Sequence, residues 1–207
     1  MTLIKICGIT RIEDAHAAAA AGARAIGFVF WRESPRFIDP YRAKQIVSTL
    51  PPFVTPVGVF VNQPIGYVAG VASLVRLGAV QLHGDETIAY AAAMPVPVIK
   101  ALVVGDGAID DWPERVIILL DAHDRTRRGG TGTTIDWTAA SAAAARRPIL
   151  LAGGLSPDNV ADAVAQVRPA GVDVSSGVER TPGVKDHVRI KSFCEAVHAT
   201  SHIAARS

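Results

Sequence analysis

Eight short runs rich in valine and isoleucine recur along the 207 residues, and a helix-like segment follows nearly every one. Such even strand–helix repetition, without a break in composition, predicts an α/β chain folded as a single (β/α)8 TIM barrel over residues 1–207. The main competitor, a doubly wound open sheet, loses ground because no GxGxxG follows the first run.

The strand segments are Leu3–Cys7, Ala25–Phe30, Val57–Val61, Ala79–His83, Pro97–Leu102, Val116–Asp121, Pro148–Ala152 and Gly171–Ser175. Their near-continuous apolar character suits parallel strands buried on both faces. Between them, Glu13–Ala21 is Ala-rich and stopped by Gly22. Tyr41–Leu50 lies between Asp39-Pro40 and Pro51-Pro52, Ile65–Leu77 ends at Gly78, and Thr87–Met94 ends before Pro95. Asp136–Arg146 and Lys185–Ala199 complete the longer helices. Ser156-Pro157-Asp158-Asn159 reads as an N-cap with proline at the first helical position. The fifth connection, around Gly107–Trp112, is too short and too rich in Gly and Asp for a full helix.

A net charge of +2 is too slight to imply nucleic acid or an anionic membrane. The one basic run, Asp124-Arg125-Thr126-Arg127-Arg128, reads as a solvated loop or a contact for an anionic substrate. Two cysteines, Cys7 and Cys194, without a CxxC, suit a reducing compartment. No signal-peptide pattern opens the sequence, and no apolar run approaches the roughly 20 residues that span a bilayer. The expectation is a soluble cytoplasmic protein, monomer or homodimer, with a small-molecule substrate and neither nucleic acid nor membrane as partner.

In this fold active sites sit where the strands end. The ends are Cys7, Phe30, Val61, His83, Lys100, Asp121, Gly153-Gly154 and Ser175-Ser176. A cation or helix N-terminus near Cys7 would bring its thiol into the range of a general base; a small buried hydrophobe is the alternative. Asp121 follows five apolar residues, where burial would raise its pKa and suit it to act as an acid. Its alternative is a structural cap. Gly129-Gly130-Thr131-Gly132, Gly153-Gly154 and Ser175-Ser176-Gly177 follow the last three strands, as backbone cradles for phosphate do. Arg36, in Glu33-Ser34-Pro35-Arg36 after strand two, reads either as a bidentate clamp for a carboxylate or as a solvated charge.

The motifs LIKICGIT, GFVFWRESPRFI, VGVFVN, VQLHGDE, LLDA with GGTG, LAGGLSPDNV and GVDVSSGVERTPGVKD together resemble phosphoribosylanthranilate isomerase, from about Leu3 to Lys191. The resemblance implies an Amadori rearrangement in tryptophan biosynthesis that uses no metal and no cofactor. It implies Cys7 as general base, Asp121 as general acid and Arg36 as the group that orients the anthranilate carboxylate. Phosphate contacts then fall on Gly154, Ser176 and Gly177, with Asp173 as a partner for a ribose hydroxyl. The main departure is the arginine content of the DRTRR loop.

Three rival readings stay open at this level. A Schiff-base lyase would use Lys5, on the same side of strand one as Cys7, or Lys100. A metal-dependent phosphosugar enzyme would use His198 and His202, spaced i, i+4. A non-catalytic phosphosugar-binding barrel would keep the glycine loops without an acid and a base.

Overall fold

In a computed structural model, which describes residues 2–103, 108–121 and 137–204, eight parallel strands close into a barrel in sequence order. They are β1 (Leu3–Ile6), β2 (Ala25–Val29), β3 (Thr55–Phe60), β4 (Ala79–Leu82), β5 (Val98–Val103), β6 (Ile117–Asp121), β7 (Ile149–Ala152) and β8 (Gly171–Val174). Closure comes from β1 pairing with β8, in register from Leu3 opposite Gly171 to Ile6 opposite Val174. Seven α-helices are described: α1 (Ile12–Ala20), α2 (Pro40–Val47), α3 (Ile65–Val75), α4 (Ile88–Ala92), α5 (Trp137–Ala144), α6 (Val160–Val167) and α7 (His187–Ala204). Among the described residues of the fifth connection the helical element is a 3-10 turn at Ala108–Asp111, as its composition suggests.

The strand period of two divides the apolar residues between two cores. Val57, Ala79, Ile99, Ala101, Leu119 and Ala152 fill the barrel interior. Their strand neighbours Phe28, Phe60, Val80, Leu82, Val98, Ile118, Leu120, Ile149, Leu151 and Val172 pack outward, in the larger core shared with the helices.

Helix boundaries follow local chemistry. Asp39 caps α2, its side chain accepting from the Tyr41 N–H at 2.9 Å, and the helix runs from Pro40 to Val47 where Tyr41 to Leu50 was expected; such a cap stabilises by about 1 kcal/mol. Helix α3 stops earlier than Gly78 because Arg76 turns left-handed at φ 60°. That turn lets the Leu77 N–H reach back to the Ala72 carbonyl at 2.9 Å. Helix α6 starts at Val160 rather than at Pro157. Ser156 still organises its entry, its hydroxyl accepting from the Asp158 N–H at 3.2 Å. The last helix corrects the expected start at Lys185. Val184–Lys185 (β10) instead pairs antiparallel with Glu179–Thr181 (β9). Asp186 then caps α7, accepting from the Val188 and Arg189 N–H groups at 2.9 and 3.2 Å.

Lys100 is not a strand end. It lies inside β5, between the inward Ile99 and Ala101, and its side chain goes to the outer face. There Nζ donates to Glu86 Oε2 at 2.9 Å and to the Gly84 carbonyl at 2.6 Å. Burial pushes the Glu86 carboxyl up, but donation from the Asn62 N–H and the Lys100 ammonium outweigh it and hold the group below its ordinary value. A folded-state pKa below the unfolded one stabilises above the unfolded value, about 4.3, and that stability is lost as pH falls through the folded pKa. Glu86→Gln is therefore expected to lower stability at neutral pH and to flatten its decline below about pH 5, read from urea midpoints across the acid range.

Candidate active site

The C-terminal mouth of the barrel opens on a cavity of about 320 Å³, within the range that holds small-molecule ligands. Cys7, His83, Asp121, Asp173, Arg36, Gly153, Gly154, Ser175 and Ser176 all line it. Cys7 and Asp121 thus share one cavity, from β1 and β6. Phe30 and Lys100 belong to the outer core and the outer face instead. Gly177 is outside the lining; a Cβ there would stand 1.8 Å from the Leu155 carbonyl oxygen, so it lets the loops after β7 and β8 touch. The Gly129–Gly132 cluster and the DRTRR run fall outside the described residues.

Cys7 follows the last residue of β1, and its N–H donates to the Val174 carbonyl at 2.8 Å. Its side chain packs with Val29, Val59 and Trp31. Gly27 on β2 makes the room, since a Cβ there would meet Sγ at 2.8 Å. The following Gly8 takes φ +76°, and a Cβ on it would meet Arg36 Cδ at 2.6 Å. Glycine at that position permits both the turn and the passage of the arginine stem.

Beneath the thiol, Lys5 Nζ donates to Asp173 Oδ1 at 2.9 Å, a buried pair between β1 and β8. Asp173 lines the cavity, yet one of its oxygens is already committed to this ammonium. Burial would push Lys5 down, but Asp173 and the Cys7 sulfur outweigh it, so the ammonium is held above its ordinary value. Burial pushes the Cys7 thiol up, Lys5 pulls it down and Asp173 adds to the rise; the net direction is up. The sequence left two readings of Cys7, a thiol lowered by a nearby cation and a small buried hydrophobe; both the cation and the burial are present, and desolvation wins.

Opposite Cys7, His83 Nε2 stands 3.6 Å from Asp121 Oδ2. The Gln81 amide nitrogen lies 3.0 Å from His83 Nδ1. With Gln81 donating, the imidazole carries its hydrogen on Nε2, toward Asp121. Gln81 lines the cavity but is 1% exposed, and its Oε1 is buried without a hydrogen-bond partner among the described residues. Gln81 was missed in the sequence, although it sits two residues before His83 and so shares its face.

Arg36 is not a solvated charge. Its Nε and Nη2 donate to Glu179 Oε1 and Oε2 at 2.9 and 2.7 Å, and Lys185 Nζ donates to the same carboxylate at 2.8 Å. Neither Glu179 nor Lys185 was singled out in the sequence, because their partner lies on a distant loop.

The lyase reading loses Lys100 to the outer face, and Lys5 is engaged below the thiol. For the metal reading, His198 packs against the turn after α1, where a Cβ on Gly22 would meet its ring at 2.8 Å; the side chain of His202 is outside the described residues.

Cys7 lines the open cavity, whereas Cys194 is 1% exposed in the core and burial pushes its thiol up to about 12, so alkylation by iodoacetamide reports on Cys7. Its rate is expected to climb with pH beyond the ordinary thiol range. Asp173→Asn should move that profile to lower pH and Lys5→Met to higher pH, as followed by mass spectrometry.

Residues 4–196 match the family model for N-(5'phosphoribosyl)anthranilate (PRA) isomerase. The enzyme of that name from Pseudomonas fluorescens is 49% identical over 198 residues, 93% of this chain and 97% of the relative. The crystal structure of phosphoribosyl anthranilate isomerase from Thermotoga maritima matches with a TM-score of 0.90 and 44% identity, over 96% of this chain and all of that one. A second crystal structure of such an isomerase, in complex with reduced 1-(o-carboxyphenylamino)-1-deoxyribulose 5-phosphate, matches with a TM-score of 0.86 and 43% identity over 96% of this chain and 100% of that one. On a barrel whose mouth carries a thiol, a carboxyl and glycine loops, a family match of this extent decides the matter: the chain belongs to the N-(5'-phosphoribosyl)anthranilate isomerase family.

Proposed function

We propose that the chain performs the isomerisation of its family with Asp121 as general acid and Cys7 as general base. The reaction, a step of tryptophan biosynthesis, turns the aminoaldose N-(5-phosphoribosyl)anthranilate into 1-(2-carboxyphenylamino)-1-deoxyribulose 5-phosphate. The observation that carries the assignment is that these two groups, from β1 and β6, line one cavity beside the glycine loops after β7 and β8.

In this reading the protonated Asp121 gives its proton to the furanose ring oxygen. The C1–O bond breaks as the anilino nitrogen forms an iminium with C1. That cation acidifies the C2 hydrogen, which Cys7 takes as general base, and the electron pair of the C–H bond becomes the C1–C2 double bond of an enolamine. Tautomerisation to the C2 ketone completes an exchange that is neutral in protons and electrons. His83, with its Nε2 hydrogen toward Asp121, helps position the acid. Asp173 is an acceptor for a ribose hydroxyl. Gly154, Ser176 and Gly177 belong to the phosphate loops, with Gly177 supporting their contact rather than lining the cavity. Arg36 orients the anthranilate carboxylate. Two buried free cysteines support a reducing, cytoplasmic setting.

The rival binding barrel and the isomerase separate in one experiment. Cys7→Ala and Asp121→Asn should each lower kcat by about 10²- to 10⁴-fold while binding the reduced product analogue nearly as tightly as the parent. Turnover that survives both substitutions would remove the acid–base assignment.

A further inference from the structure

We propose that Glu179 is a positioning residue for substrate recognition: it fixes Arg36 so that the guanidinium's unbonded edge faces the ligand's carboxylate. The proposal rests on the reading of Arg36 as the carboxylate-binding group.

Glu179 begins the β9–β10 hairpin and is almost fully enclosed, with 5% of its side chain exposed. Its two oxygens hold Arg36 Nε and Nη2 at 2.9 and 2.7 Å. Oε1 also accepts from Lys185 Nζ at 2.8 Å and from the Gly183 N–H at 3.2 Å. The Gly183 carbonyl in turn accepts from Thr10 Oγ1 at 2.5 Å, tying the hairpin to the loop after β1. Arg36 is therefore gripped at its head by Glu179, and its stem lies over Gly8, where even a methyl group would meet Cδ at 2.6 Å.

A guanidinium has five N–H donors in a rigid plane. Glu179 takes one on Nε and one on Nη2, so the free donors are those of Nη1 and the second of Nη2. Arg36 lines the cavity, and that remaining edge can meet a second carboxylate through two parallel bonds. Burial pushes the Glu179 carboxyl up, but Arg36 and Lys185 outweigh it and hold it below its ordinary value, so it stays ionised at neutral pH. One carboxylate between two cations leaves the cluster with a single net positive charge, the sign an anionic ligand needs.

A purely structural role for Glu179 would affect all ligands alike, whereas a positioning role acts through the ligand's carboxylate. The test compares two probes, the reduced product analogue and the same molecule lacking its ring carboxylate, by calorimetry on the full chain. In the parent the carboxylated probe should bind about tenfold tighter or better. Glu179→Ala should erase most of that preference and leave affinity for the decarboxylated probe within about twofold. In an Arg36→Ala background it should add nothing. Where the alanine variant fails to fold, Glu179→Gln, which keeps the volume and one acceptor, should lose part of the preference. Equal weakening of both probes, or a preference left intact, would overturn the role given to Glu179. If Arg36→Ala alone leaves the preference unchanged, the reading of Arg36 itself is wrong, and the proposal falls with it.

Discussion

Closure of the sheet gives every strand residue one of two destinations, and that constraint governs the rest of the molecule. A residue faces the barrel interior or the helices, and its neighbour takes the other side. Along β1 and the residue after it the inward positions are Lys5 and Cys7, with Ile4 and Ile6 turned out. On β4 they are Ala79, Gln81 and His83; on β6, Leu119 and Asp121. The bottom of the interior is apolar and the top polar, so each inward register passes from core to site in a few residues. A slip by one residue on any strand would exchange its site residue for a core residue.

The polar groups placed at the top are mostly committed to partners before any ligand arrives. Lys5 holds Asp173, and Glu179 holds Arg36 and Lys185. Removing one member of a buried pair strands the other charge, which costs several kcal/mol, whereas the intact pair adds little net stability. Such pairs are therefore better understood as fixing geometry. The edge of Arg36 that Glu179 does not occupy is left with capacity for a ligand.

Much of this was legible in the sequence. The ends of the strands pointed to Cys7, His83 and Asp121, because a buried strand that closes on a polar or reactive residue needs a reason for it. Lys100 was misplaced for a physical cause: PVIKAL is apolar on both faces, so no alternation says which parity is interior. The partners of the site residues were not legible at all. Lys5 and Asp173 are 168 residues apart, and Arg36 and Glu179 are 143 apart; only the closed barrel and the hairpin bring them together. The hairpin itself hides in GVERTPGVKD, where the short strands carry charged residues and lack an apolar face.

Spatial order around the barrel differs from sequence order in one decisive place: β8 lies beside β1. Read around the mouth, the strands β6, β7, β8, β1 and β2 carry in turn Asp121, the Gly153-Gly154 loop, the Ser175-Ser176 loop, Cys7 and the loop of Arg36. In the proposed reaction the phosphate lies at the β7–β8 loops and the ring carboxylate at Arg36. A ligand pinned by those two anionic ends must cross β1, which sets the carbons between them above the sulfur. Both negative ends are then held away from the thiolate by their own cationic or N–H partners. The base meets the uncharged middle of the substrate, where a cation develops as the ring opens. Placing the thiol on the first strand and the phosphate loops on the last two works because ring closure makes the two ends of the chain neighbours.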